Sequence, residues 1–194
     1  GSIPNNAVLI TFDDGYESVY KYAFPELKKR NMPAVEFAIV SLVGTNNGEF
    51  GYSTWEERKE MASAGLTTQS HTYNMHDSGI LANGKRGPLL SGPARGKSSE
   101  EFLATVSRDF KQSKDDIENQ VQQPVYALAL PFGSGCKQAL DAAANTGFTL
   151  IFTGKAGFIT RTSNPQALPR IVAGAPEISA KTLDARIRKV TGAK

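Results

Sequence analysis

Hydrophobic and polar positions along the chain fall into two alternating kinds of block. Short apolar runs read as strands at Ala7 to Phe12, Ala34 to Val40, Leu66 to Ser70, Val125 to Leu130, Leu150 to Phe152 and Leu168 to Ile171. Between them lie stretches of helical period. Tyr16 to Arg30 predicts a helix, with Pro25 positioned to kink it. Thr54 and Glu57 match a capping box that opens a helix through Ala64, and Gly65 supplies its stop. Ser98 and Glu101 repeat the box ahead of an apolar stripe at Phe102, Val106, Phe110, Ile117 and Val121. Lys137 to Thr146 reads as a helix ended by Gly147, and Leu183, Ile187 and Val190 mark a last one. Asp77 to Lys97, rich in Gly, Pro, Asn and Ser, reads as one long irregular loop; in compact domains loops of that length tend to be functional or mobile.

Strand–helix alternation predicts an α/β fold with mostly parallel strands. Six strands at most are visible, fewer than the eight of a regular barrel, and the pattern alone leaves open sheet and barrel undivided. The 194 residues suit a single domain, residues 1–194, with a sizeable core. Gly1-Ser2 reads as an expression-tag remnant, so this start carries no information on compartment.

Charge changes the picture little. The net charge of +3 is mild, and Lys and Arg are scattered rather than striped, which argues against a nucleic-acid partner. The small groups Lys28-Lys29-Arg30 and Arg186, Arg188, Lys189 fall at expected helix C-termini, where cations suit the helix dipole. No run of 18 apolar residues is present, so no membrane span is expected. Cys136 is the lone cysteine, which excludes an internal disulfide and a thiolate metal cluster.

Candidate chemistry clusters at strand ends. Asp13 and Asp14 leave the first strand side by side, and burying both without a cation is costly. The plainer reading is a polar turn with an aspartate capping the next helix. His71 and His76, the only two histidines, follow the third strand; alone they read as unconnected loop residues. Together the three side chains Asp14, His71 and His76 make a ligand set with an open position, the catalytic pattern for zinc, though two histidines and a carboxylate also suit iron. Pro131-Phe132-Gly133 ends the fourth strand in a tight turn whose N–H groups can stabilise an oxyanion. Glu36, in an apolar strand, is expected to form a structural ion pair rather than to face the site, and Trp55 to pack at a helix start.

These motifs resemble the NodB-homology polysaccharide deacetylases, carbohydrate esterase family four. Thr11 to Gly15 match the first motif, His71-Thr72 with His76 the second, and Pro131-Phe132-Gly133 the end of the third, in the family's order from residue 11 to 133. The resemblance implies a distorted (β/α)7 TIM-like barrel. It implies Asp13 as general base, Asp14, His71 and His76 as metal ligands, and the backbone N–H of Phe132 in the oxyanion hole. The implied cofactor is Zn2+ or another divalent ion such as Co2+, Ni2+ or Fe2+. The implied reaction is hydrolysis of N-acetyl groups from a polysaccharide, releasing acetate.

The long segment between His76 and Pro131, Trp55-Glu56-Glu57, and Leu168-Pro169-Arg170-Ile171 are similar to the branch acting on poly-N-acetylglucosamine of biofilm matrices. The implied protein is a monomer, extracellular or periplasmic, whose partner is an N-acetylglucosamine-containing polysaccharide. Tyr73, Pro131 and Gly133 are the expected substrate contacts, with Tyr73 and Phe132 placed to stack on sugar rings.

Two departures qualify the match. Ala129 stands where the family has the arginine that orients the base. Arg170 is a candidate replacement, although a surface ion pair is the favoured expectation for it. The family's histidine general acid has no counterpart once His71 and His76 are assigned to metal; the expectation is an acid upstream of this segment. Both departures suit a non-catalytic glycan-binding module as the rival reading, and peptidoglycan, chitin and acetyl-xylan remain rival substrates.

Overall fold

The computed structural model describes residues 7–175 and 177–192; Gly1-Ser2, read as a tag remnant, lie outside the described residues. Six parallel strands form one curled sheet: β1 (Ile10–Phe12), β2 (Ala34–Ala38), β3 (Leu66–Ser70), β6 (Ala127–Ala129), β7 (Leu150–Ala156) and β8 (Leu168–Arg170), in spatial order β1-β2-β3-β6-β7-β8. Helices α1 (Phe24–Lys29), α2 (Trp55–Ser63), α3 (Ser99–Val121) and α4 (Lys137–Asn145) fill the connections, and α5 (Ala180–Thr191) follows β8. This is the half-barrel form of the distorted (β/α) barrel expected above. Parallel strands need crossover connections, so every strand points its C-terminal end to the same rim.

Strand alternation sorts side chains to two faces. On the convex face Leu128 and Ile151 pack with Phe102, Val106, Phe110 and Ile117 of α3 and with Ala139, Ala142 and Ala143 of α4, the largest apolar cluster. All five predicted stripe positions of α3 are buried. A second cluster under α1 and α2 joins Val19, Phe24, Leu27, Ala34, Met61 and Leu66. The concave face holds a smaller one, Phe37, Ala127, Ala129, Phe152 and Leu168, which floors the site.

Both predicted capping boxes form: Thr54 Oγ1 accepts the Glu57 N–H and Ser98 Oγ the Glu101 N–H, with each glutamate returning to the cap N–H.

The strands expected to Val40, from Val125 to Leu130 and to Phe152 are instead Ala34–Ala38, Ala127–Ala129 and Leu150–Ala156, and three further expectations shift. β1 begins at Ile10, not Ala7, because its register sets Ile10 opposite Ala34, the first residue of β2 after Pro33, and leaves residues 7–9 without a strand beside them. The first helix divides into a π-helical turn, Val19–Ala23, and α1, with Pro25 in the first turn of α1. Proline lacks the N–H that a continuous helix would need there, and widening the preceding turn accommodates its ring. The 77–97 segment contains an antiparallel hairpin, β4 (Ser78–Ile80) with β5 (Arg86–Pro88), built from residues of poor strand propensity.

Candidate active site

The C-terminal rim of the sheet gathers the predicted residues. Asp14 Oδ1 lies 3.4 Å from His71 Nε2 and 3.3 Å from His76 Nε2. One donor atom from each of the three lies within 4.8 Å of the others. His71 is buried, and its Nδ1 is 2.7 Å from the Ala129 carbonyl oxygen. A carbonyl only accepts, so Nδ1 carries a hydrogen; in the neutral ring the Nε2 lone pair faces Asp14, and in the protonated ring Nε2–H donates to it. Burial, followed by the charge of His71, lowers the His76 imidazole from its ordinary pKa. Burial alone would raise the Asp14 carboxyl, but the hydrogen bond to His71 and the charges of His71 and His76 bring it below the usual carboxylate range. A carboxylate and two imidazole nitrogens converging on one point fit a divalent cation.

Asp13 has a cationic partner of its own. Arg170, on the last strand of the sheet, donates from Nη1 to Asp13 Oδ1 at 2.7 Å and from Nη2 to Oδ2 at 2.8 Å, a two-pronged pair. Its guanidinium also lies 5.9 and 6.0 Å from the ring centres of Phe37 and Phe152. Arg170 thus joins the two edge strands of the half-barrel through the aspartate of the first motif. The surface ion pair favoured for it from sequence is instead a half-buried pair at the site.

The 131–133 turn is closed by Gly133 N–H to Leu130 O at 2.8 Å and Ser134 N–H to Pro131 O at 3.2 Å. Phe132 adopts φ 55°, and its exposed ring lies 4.6 Å from the His76 ring. A Cβ on Gly133 would come within 2.3 Å of the Gly154 backbone, so the turn sits hard against β7. Tyr73, expected against substrate, packs half-buried on the main apolar cluster.

A pocket of about 440 Å³ opens beside Asp14 and His76, walled by Tyr16, Tyr52, Asn74, Asp77 and Leu89. Sequence reasoning passed over Tyr16 and Tyr52, whose rings stack at 5.2 Å. Burial, Asp14 and Tyr52 push the Tyr16 phenol up to about 12, so it stays protonated. Glu36 makes the expected ion pair: its Oε2 is 2.9 Å from Arg58 Nε, both side chains fully buried. Arg58 Nη2 in turn donates to the Gly15 carbonyl at 3.1 Å, directly behind the paired aspartates.

The comparisons agree with this geometry. The polysaccharide deacetylase family pattern matches residues 1–151. A poly-beta-1,6-N-acetyl-D-glucosamine N-deacetylase of Staphylococcus aureus (strain MRSA252) is 30% identical over 174 residues, covering 89% of this chain and 56% of that protein. The Escherichia coli (strain K12) protein of the same name is 28% identical over 191 residues, covering 88% of this chain and 28% of its own length. The chain therefore spans about half, or less, of these curated relatives. Among solved structures, a de-N-acetylase from Aggregatibacter actinomycetemcomitans superposes with a TM-score of 0.84 at 25% identity, covering 96% of this chain and 77% of that one. The BpsB deacetylase domain from Bordetella bronchiseptica gives 0.79 at 28%, covering 87% and 71%. With its half-barrel, its three motifs at one rim and a family match over most of its length, the chain belongs to the polysaccharide deacetylase family.

Proposed function

We propose that this chain removes acetyl groups from N-acetylglucosamine units of poly-β-1,6-N-acetylglucosamine, and that it does so with a divalent cation, zinc in the first instance, held by Asp14, His71 and His76. The observation that carries this reading is the convergence of those three donors beside an Asp13 carboxylate clamped on both oxygens by Arg170. When bound, such a cation supplies Lewis-acid chemistry: it makes water a better nucleophile and polarises the amide carbonyl.

The remaining steps belong to the protein. Asp13 takes the proton of the attacking water at a carboxylate oxygen as the water oxygen bonds to the acetyl carbon. Arg170 holds both oxygens of that carboxylate and so fixes its plane. It takes over, from the far edge strand, the orienting role of the arginine that Ala129 replaces. The Phe132 N–H donates to the oxygen of the tetrahedral adduct. When the carbon–nitrogen bond breaks, acetate leaves, and the proton on Asp13 is available to the departing amine. Tyr16, Tyr52 and Asn74 wall the space where the sugar sits, and Pro131 and Gly133 shape its opposite rim.

A polymeric exopolysaccharide substrate places this work at the cell surface or in the periplasm, in biofilm matrix. The test is acetate release from β-1,6-linked N-acetylglucosamine oligomers with added zinc or cobalt, run beside chitin oligomers, peptidoglycan and acetyl-xylan. Release from the β-1,6 oligomers above the others supports the reading. Glycan binding without acetate release from any substrate refutes it in favour of a binding module.

A further inference from the structure

Two polar side chains interrupt the buried face of α3, and both reach the loop that carries the histidines. Asp109 is 8% exposed and Ser113 fully buried. Asp109 Oδ1 accepts the Tyr73 N–H at 2.8 Å and its Oδ2 accepts the Asn74 N–H at 2.7 Å. Tyr73 and Asn74 lie between His71 and His76. Ser113 Oγ is 2.7 Å from Ser70 Oγ, which accepts the Thr72 N–H at 3.1 Å.

The rest of the loop is accounted for as well. The His71 N–H donates to Ala38 O at 2.9 Å, and the Met75 N–H to Thr72 Oγ1 at 3.1 Å. Every backbone N–H from His71 to Met75 thus has a protein partner, and one carboxylate takes two of them.

That carboxylate is expensive to keep. Among the described residues no ion pair reaches Asp109, and burying a charge without a counter-ion is costly. An asparagine would be cheaper to bury, but it accepts on one atom only and would turn a donor toward an N–H. The requirement is for two acceptors facing two consecutive N–H groups.

We infer that Asp109 is a positioning residue for the metal site: its two hydrogen bonds set the span and direction of the loop so that His71 and His76 already converge before a cation arrives. The inference rests on the proposed ligand role of those histidines. Without the clamp, the Tyr73 and Asn74 peptides are free to rotate. Thr72, held at φ 76°, is then released from a backbone conformation unfavourable for a β-branched residue. The imidazoles separate, and cation affinity falls.

The experiment measures zinc affinity by chelator competition and the visible spectrum of the cobalt-loaded protein. It also follows amide hydrogen exchange at Tyr73 and Asn74 in the metal-free protein. Wild type is compared with Asp109→Asn, Ser113→Ala and Glu118→Gln. Glu118 lies on the same helix and accepts the Val125 N–H at 2.9 Å, away from the histidines, so it reports a purely structural loss. Asp109→Asn is expected to lower zinc affinity about 10- to 100-fold, the usual effect of removing a group that orients a ligand. It should also alter the cobalt band and speed exchange at the two amides. Glu118→Gln should lower thermal stability with zinc affinity unchanged.

Wild-type zinc affinity and unchanged exchange in Asp109→Asn would overturn the inference. If Asp109→Asn does not fold, Ser113→Ala decides by the same readouts, with a smaller loss in the same direction supporting the inference and none overturning it. A wild-type protein that binds no zinc refutes the ligand reading and this inference with it.

Discussion

Arg58→Met is the sharpest test of how the aspartate turn is held. Arg58 and Glu36 are both fully buried, 2.9 Å apart, and Arg58 also donates to the carbonyls of Gly15 and Ser53. Those two carbonyls keep backbone donors, since Ser53 N–H reaches Gly15 O and Gly44 N–H reaches Ser53 O, each at 3.1 Å. The loss therefore falls on Glu36, left as a buried charge without its partner. Breaking such a pair from one side costs about 3–5 kcal/mol. At about 2–4 °C per kcal/mol for a chain of this size, the thermal midpoint should drop by about 6–20 °C.

The deficit should also depend on pH. Burial already pushes the Glu36 carboxyl up against the pull of Arg58, and without Arg58 it rises further. A carboxyl raised in the folded state contributes fully below its unfolded value and loses that contribution as pH rises through the folded one. The single variant should therefore be weakest near pH 7.5 and partly recover near pH 5, in urea titrations at both. The double variant Arg58→Met, Glu36→Leu removes both charges and should recover to within about 2 kcal/mol of wild type. It should still turn over more slowly, because the Gly15 carbonyl has lost one of its two donors. A single variant that loses less than about 1 kcal/mol, or a double variant no more stable than the single, would refute the reasoning.

Three further outcomes are expected. Asp13→Asn should bind zinc as wild type does while acetate release falls about 10²- to 10⁴-fold, the ordinary worth of a general base. Arg170→Lys keeps a positive charge but loses the fork; at about 1.5–3 kcal/mol for a charged hydrogen bond, kcat should fall about 10- to 100-fold with zinc affinity unchanged. Gly133→Ala forces a Cβ to within 2.3 Å of the Gly154 backbone at a residue with φ 65°. Overpacking of that kind costs about 1–3 kcal/mol in unfolding assays, and the displaced Phe132 N–H should lower kcat more than it raises KM.

What could be read in the sequence was what local pattern determines. Thr54 with Glu57 and Ser98 with Glu101 announced two helix starts because a capping box is complete within four residues. Asp14, His71 and His76 were legible because each sits where a strand pattern stops, and parallel strands stop at a common rim. Arg170 was only half legible: it stood as a candidate for the missing arginine, but a surface ion pair was favoured, because its partner Asp13 lies 157 residues away and only the curl of the sheet brings the edge strands together. Asp109 left a faint trace: it falls on the face of Phe102, Val106 and Phe110, where a carboxylate interrupts an otherwise apolar side. Tyr16 and Tyr52 left none, since aromatic residues beside a turn usually pack.

Backbone strain ties the three motifs together. Outside two residues beside helix ends, Asn31 and Gln122, the non-glycine residues with positive φ among those described are Asp14 at 73°, Thr72 at 76° and Phe132 at 55°. One lies in each motif. Such conformations cost on the order of 1–3 kcal/mol each, and glycine would relieve them. Glycine would also remove a side chain that the site uses at each position. These are the Asp14 carboxylate that meets both histidines, the Thr72 hydroxyl that accepts the Met75 N–H, and the Phe132 ring against His76. The strain is retained because neighbours over-determine it. Arg58 grips the carbonyl that follows Asp14, Asp109 and Ser113 hold the loop of Thr72, and Gly154 gives the turn of Phe132 room to seat. The site is therefore set by the fold before ligand or substrate arrives, and substitutions in its buried supports should lower function at least as much as stability.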